Sequence, residues 1–228
     1  MTRWLTRRTA AALVLSAPLA APRPLPAASG DEFAAALTEA LVIGAKRAVD
    51  RLGRPDGFLG DPEVRIPLPG IVAQARSALA LVGMAGLADD LEVRLNRAAE
   101  RAVPVAGGLL VDAVRGLTIE DAVGILRGPD DAATRYLERA TGPELTARMR
   151  PIVDEALAEA GAVQALDVLA GQYARLPFVS TLRADLTGHV LDHAGRALFE
   201  RLGEEEARIR ENPAARTTDL LRRVFGQF

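Results

Sequence analysis

Gly124–Leu137 reads GILRGPDDAATRYL, and the fold turns on how its two adjacent aspartates are read. As chemistry, Asp130 and Asp131 would be metal ligands or an acid–base pair. As grammar, they start a helix. Gly128 ends the preceding helix, and Pro129 cannot continue it because it lacks an amide hydrogen. Asp130 then falls at the N-cap and Asp131 in the first turn, where a negative charge suits the helix dipole. Neighbours in sequence do not face one another on a helix. The capping reading is therefore favoured, and the stretch becomes a helix–turn–helix boundary.

Working outward, the same grammar recurs. Upstream, Thr118-Ile-Glu-Asp121 is a capping-box variant that opens a helix ending at Arg127. Downstream, Thr141-Gly-Pro-Glu144 has proline and glutamate where a further helix would begin, predicted to run to Ala160. Leu91, Leu95, Ala98 and Ala102 share one face of a helix predicted over 87–103, before Pro104. The spacing of Phe33, Leu37, Leu41, Ala45, Ala48 and Leu52 predicts a first helix over 31–52. Further helices are expected over 71–82, around Gly107 and Gly108, over 163–173, over 186–210, and after Asn212-Pro213. LPFVSTLRADL, at 176–186, reads as a second break. The expected fold is all-α: one multi-helix domain over 30–228, with no substantial sheet.

One stretch resists this pattern. Residues 54–70, RPDGFLGDPEVRIPLPG, hold four prolines and three glycines. Pro67 and Pro69 bar a central strand. A loop of this length inside a compact domain is functional or well packed. A packed wrap is expected, with Phe58, Leu59, Ile66 and Leu68 buried.

The first 29 residues are of another kind. MTRWLTRR is basic, TAAALVLSAPLAA is apolar but broken by Pro18, and PRPLPAAS supplies small residues for cleavage. This is the three-part pattern of a secretory signal, too short and interrupted for a membrane span. Arg7-Arg8 resembles a twin-arginine signal, and ordinary Sec export fits as well. The expectation is an exported, periplasmic or secreted protein with no transmembrane segment in the mature chain. The chain has 28 basic and 30 acidic residues; losing four signal arginines and no acid takes the formal charge from −2 to −6. An acidic domain is a poor candidate for nucleic acid. The absence of cysteine removes both disulfides and thiol chemistry.

The remaining chemical inventory is thin. Ser77 and Ser180 lie in no nucleophile elbow, Lys46 is the sole lysine, and no phosphate-binding glycine motif or calcium loop occurs. Asp185, His189 and His193 recur every four residues and could align three metal ligands on one helix face. With no fourth ligand in sight, two exposed histidines are the favoured reading, and no cofactor is expected. Glu204-Glu-Glu206, beside Arg208 and Arg210, reads as a solvated face. Two adjacent glycines, Gly107 and Gly108, suggest close helix packing or a pocket wall.

Three ordered motifs carry a resemblance: LNRAAE at 95–100, LTIEDAVGILRGPDDAATRYL at 117–137 and IRENPAARTTDLLRRVFG at 209–226. With DGFLGDPEVRIPLP at 56–69, they resemble a bacterial family of exported proteins catalogued as domain of unknown function 4197. The resemblance implies a signal peptide and a mostly helical domain, and no established activity, substrate or cofactor.

These motifs are denser in polar residues than helix caps require. Asn96, Arg97, Glu100, Glu120, Asp130, Asp131, Arg210, Asn212, Arg216 and Thr217 are accordingly the candidate binding residues. The competing reading for Asn96, Arg97, Glu100 and the Arg210–Thr217 group is buried, paired polar groups that fix helix docking. The favoured function is a non-enzymatic binding or interaction protein of the cell envelope, its partner an envelope protein or a small apolar ligand. The alternatives are an enzyme using Glu120, Asp130 and Asp131 with or without a metal, and a carrier of an apolar ligand.

Overall fold

The computed structural model describes residues 30–81, 85–161 and 179–211. Their elements are α1 (Gly30–Gly53), α2 (Gly70–Leu81), α3 (Ala85–Ala102), α4 (Ala106–Arg115), α5 (Ile119–Arg127), α6 (Ala132–Glu159) and α7 (Val179–Glu211). No strand occurs among the described residues, so the fold is all-α. A 3-10 turn over Val103–Val105, built on Pro104, joins α3 to α4. No single described helix is long and apolar enough to cross a membrane.

Two contact systems make the core. α6 packs against α7, α3 and α4, and α1 packs against α7, α4 and α5. The stripe anticipated for α1 is buried at Leu37, Leu41, Ala45, Ala48 and Leu52. That of α3 is buried at Leu91, Leu95, Ala98 and Ala102. Alanine on these faces lets helices approach closely, and leucine, methionine and isoleucine fill the gaps between them. Burying each large apolar side chain stabilises the fold by about 1.5 to 3 kcal/mol.

Three expectations are corrected. Thr141-Gly-Pro-Glu144 starts no helix, because α6 runs unbroken from Ala132 to Glu159 with Pro143 and Pro151 inside it. Leu137, Thr141, Leu145, Met149 and Val153 form one buried stripe at four-residue spacing, and its burial outweighs the bonds the prolines remove. The Thr141 hydroxyl donates to the Leu137 carbonyl at 2.7 Å, so it is satisfied within the helix rather than capping one. The break expected at 176–186 is helical from Val179 onward. Gly108 is exposed, and a side chain there would meet nothing within 4 Å, so it walls no enclosed pocket. The helices expected over 163–173 and after Asn212-Pro213 lie outside the described residues.

Candidate functional site

The polar motifs separate into a clasp and a groove. The clasp holds residues 54–69, which form turns but no helix or strand. Phe58, Ile66 and Leu68 are buried as anticipated, and Leu59 is partly so. A buried loop brings backbone groups that need partners, and α3 supplies them. Asn96, fully buried, accepts from the Ile66 amide at 2.9 Å through Oδ1 and donates to the Ile66 carbonyl at 2.9 Å through Nδ2. Its amide thus replaces the neighbouring strand that Ile66 lacks. One turn on, Glu100 Oε1 accepts from the amides of Phe58 and Leu59 at 3.1 and 3.2 Å. Arg97 donates to Glu100 Oε2 at 2.6 Å and to Asp56 Oδ1 at 2.7 Å. Asp56 has φ 63°, a left-handed conformation that aspartate tolerates better than most residues. Gly57 has no alternative: a Cβ there would sit 2.4 Å from the Leu52 carbonyl oxygen.

The loop's other side is held by α1 and α7. Arg201, 4% exposed in its side chain, pairs with Asp61 and Glu63 at 2.9 Å each and with Glu204. Arg51 pairs with the same Asp61 oxygen at 2.9 Å. Burial pushes the Asp61 carboxyl up. The Glu63 amide, Arg51 and Arg201 outweigh that and hold it below the ordinary carboxylate range. His189 Nε2 lies 2.7 Å from the Pro67 carbonyl oxygen. His193 is turned to the His189 carbonyl at 2.9 Å, with the two rings 4.3 Å apart. Asp185 lies in α7, and its side chain is outside the description. No group of three histidine, aspartate or glutamate side chains that could hold a metal occurs among the described residues.

The opening aspartates are the next correction. α6 begins one residue later than anticipated, with Asp131 at its N-cap and no side-chain cap bond. Asp131 instead pairs with Arg135 at 2.7 Å, and its Oδ1 is buried without a partner. The cap comes from elsewhere. Glu206, on α7, accepts from the Ala133 amide at 3.1 Å, from the Thr134 amide at 2.9 Å and from the Thr134 hydroxyl at 2.8 Å. Arg210 closes the arrangement, donating to Glu206 at 2.9 Å and to the Ile125 carbonyl at 3.0 Å. So Glu205 and Glu206 are buried, not solvated. By contrast, the Thr118–Asp121 capping box forms as read, with both reciprocal bonds present.

In front of this cap lies the groove. α5, the turn after it and the first turns of α6 line an open cavity of about 350 Å³, at the small end of ligand-sized sites. Glu120, Asp121, Gly124, Tyr136, Arg135 and Arg139 are among the residues lining it. Gly124 keeps the floor low, since a side chain there would project into open space. Gly128 is required for another reason: a Cβ would come 2.8 Å from that of Ala132. Asp121 is taken by its capping box and Arg135 by Asp131. Glu120, Tyr136 and Arg139 have no hydrogen bond or ion pair among the described residues. Asp130 is exposed and does not line the cavity. Asn212, Arg216 and Thr217 lie outside the described residues.

Fold and groove together define an all-helical protein with a braced loop on one side and an open, mixed-charge groove on another. A family model described as "Protein of unknown function (DUF4197)" matches residues 27–226, and the chain belongs to that family. No curated protein and no solved structure matches it.

Proposed function

We propose that this chain is a non-enzymatic binding protein of the cell envelope, and that its ligand occupies the groove between α5 and α6. One observation carries the reading. The polar side chains of LNRAAE are tied to the chain's own backbone or to an opposite charge, whereas Glu120, Tyr136 and Arg139 face a cavity with no side-chain partner among the described residues. Four charged residues among the ten lining the cavity add ionic contacts to its largely apolar walls, which favours a ligand with charged groups over the wholly apolar one anticipated. The enzyme reading needs Glu120, Asp130 and Asp131 to converge, and Asp131 is engaged with Arg135 instead. Export is supported by the basic, apolar and small-residue segments of 1–29.

Native mass spectrometry of the protein purified from its own envelope tests the reading. The expected result is a bound small molecule that leaves on denaturation and is missing from Tyr136→Ala. Wild-type protein with no bound mass, or a bound mass that Tyr136→Ala retains, overturns it. The same sample tests export. Trp4 is the only tryptophan, so the cleaved protein should show tyrosine emission alone.

A further inference from the structure

The groove's charges say what kind of ligand fits. Of its four charged residues, Asp121 accepts hydrogen bonds from Thr118 in the capping box and Arg135 is ion-paired with Asp131, so both already have partners. What remains is one carboxylate, Glu120, and one guanidinium, Arg139. They are not within ion-pairing distance of each other, so each is available to a guest. Glu120 lies in the first turn of α5, eight residues before Gly128. Arg139 lies eight residues after Asp131. At 1.5 Å of rise per residue, each stands about 12 Å along its helix from the connecting turn. Both therefore stand at the end of the cavity remote from that turn, one on each wall.

A simple anion would meet Arg139 but also Glu120. A simple cation would meet Glu120 but also Arg139. Like-charge juxtaposition of this kind is costly and selects against both. A guest with one positive and one negative end meets each with its complement. On the turn side of this pair, Tyr136 lines the same cavity and Gly124 leaves open space where a side chain would stand, which gives a slender body room. Resting on the groove reading above, we propose that the ligand is a zwitterion: a short peptide with free amino and carboxyl ends, its ammonium on Glu120 and its carboxylate on Arg139. Arginine suits the second role because its planar fork can grip a carboxylate through two hydrogen bonds.

The test uses the ¹⁵N-labelled full chain as exported, with tri-alanine as probe, an extended molecule of about 10 Å. N-acetyl-tri-alanine and tri-alanine amide are the blocked forms. Tri-alanine is expected to shift the amide resonances of Glu120, Gly124, Tyr136 and Arg139. Blocking either end is expected to weaken binding about tenfold or more, the range of one charge-assisted hydrogen-bonded contact. Arg139→Gln should erase the preference for the free carboxylate and keep that for the free amine, and Glu120→Gln should do the reverse. Both substitutions are at exposed positions, and the spectrum itself reports that the fold is intact. Equal binding of free and blocked peptides overturns the proposal, as do variants that leave both preferences unchanged. If tri-alanine leaves the groove resonances unmoved while the native bound mass still depends on Tyr136, the ligand class is wrong and the groove reading stands.

Discussion

The clasp at 54–69 and the groove between α5 and α6 use similar residue types for opposite ends. In the clasp, each polar side chain of α3 closes on backbone or on an opposite charge, and Asn96 and Glu100 are nearly inaccessible. In the groove, three polar side chains stand open on α5 and α6, with Glu206 capping α6 and Arg210 tying it to the Ile125 carbonyl of α5. The difference teaches that polar density in a motif is not itself a sign of function. A polar group inside a helical core is first a debt of hydrogen bonds, and only those left over after the backbone is satisfied are available to a ligand.

The comparison breaks most readily at Glu206. Replacing it with alanine strips the cap from α6 and removes the Glu206–Arg210 pair. Urea unfolding should show a loss of about 4 kcal/mol, in the range for breaking a buried pair. Asn96→Ala comes next: the Ile66 amide and carbonyl lose their partner, at about 3 kcal/mol for two buried groups. A stability change below about 0.5 kcal/mol in either variant would show that the bracing is incidental.

Acid should act on the clasp more gently. Asp61 is held below the usual carboxylate range, so its stabilisation is complete above about pH 4 and is lost as pH falls through its lowered value. The Glu63 amide, which donates to Asp61 at 3.2 Å, is the reporter: its chemical shift should move only in strongly acidic solution. A titration above pH 4 would contradict the pairing with Arg51 and Arg201. Smallest of all are the exposed groove and turn residues. Arg139→Gln and Asp130→Ala should each change stability by less than about 0.5 kcal/mol, since neither side chain has a partner among the described residues. A larger loss at Asp130 would restore it as a cap, and one at Arg139 would place it among the structural groups.

Much of this was legible where the determinants are local. The Thr118 box, the buried face of α3 and the burial of Phe58, Ile66 and Leu68 follow from spacing, capping and side-chain chemistry within a few residues. The cap of α6 was not, because its donor pair and its acceptor lie more than 70 residues apart in sequence. A signal existed all the same. Leu198, Leu202, Glu206 and Ile209 continue one apolar face of α7, so a glutamate on that stripe had to be buried and paired. Likewise the four-residue spacing from Leu137 to Val153 could have outvoted Pro143. Tyr136 and Arg139 carried no comparable mark. Their significance comes from what α5 leaves open beside them, which no single helix records.

The reach of these long-range ties bears on the order in which the chain can fold. α1 leaves the ribosome first and α7 last among the described helices, yet they pack on each other, and Arg47 pairs with Glu205 across 158 residues of sequence. Until α7 is made, α6 has no cap and Asp61 lacks Arg201. A nascent chain that stops short of α7 lacks these ties, and contacts of such separation close slowly. Closure of the core therefore waits for α7, whatever the order in which the earlier helices form.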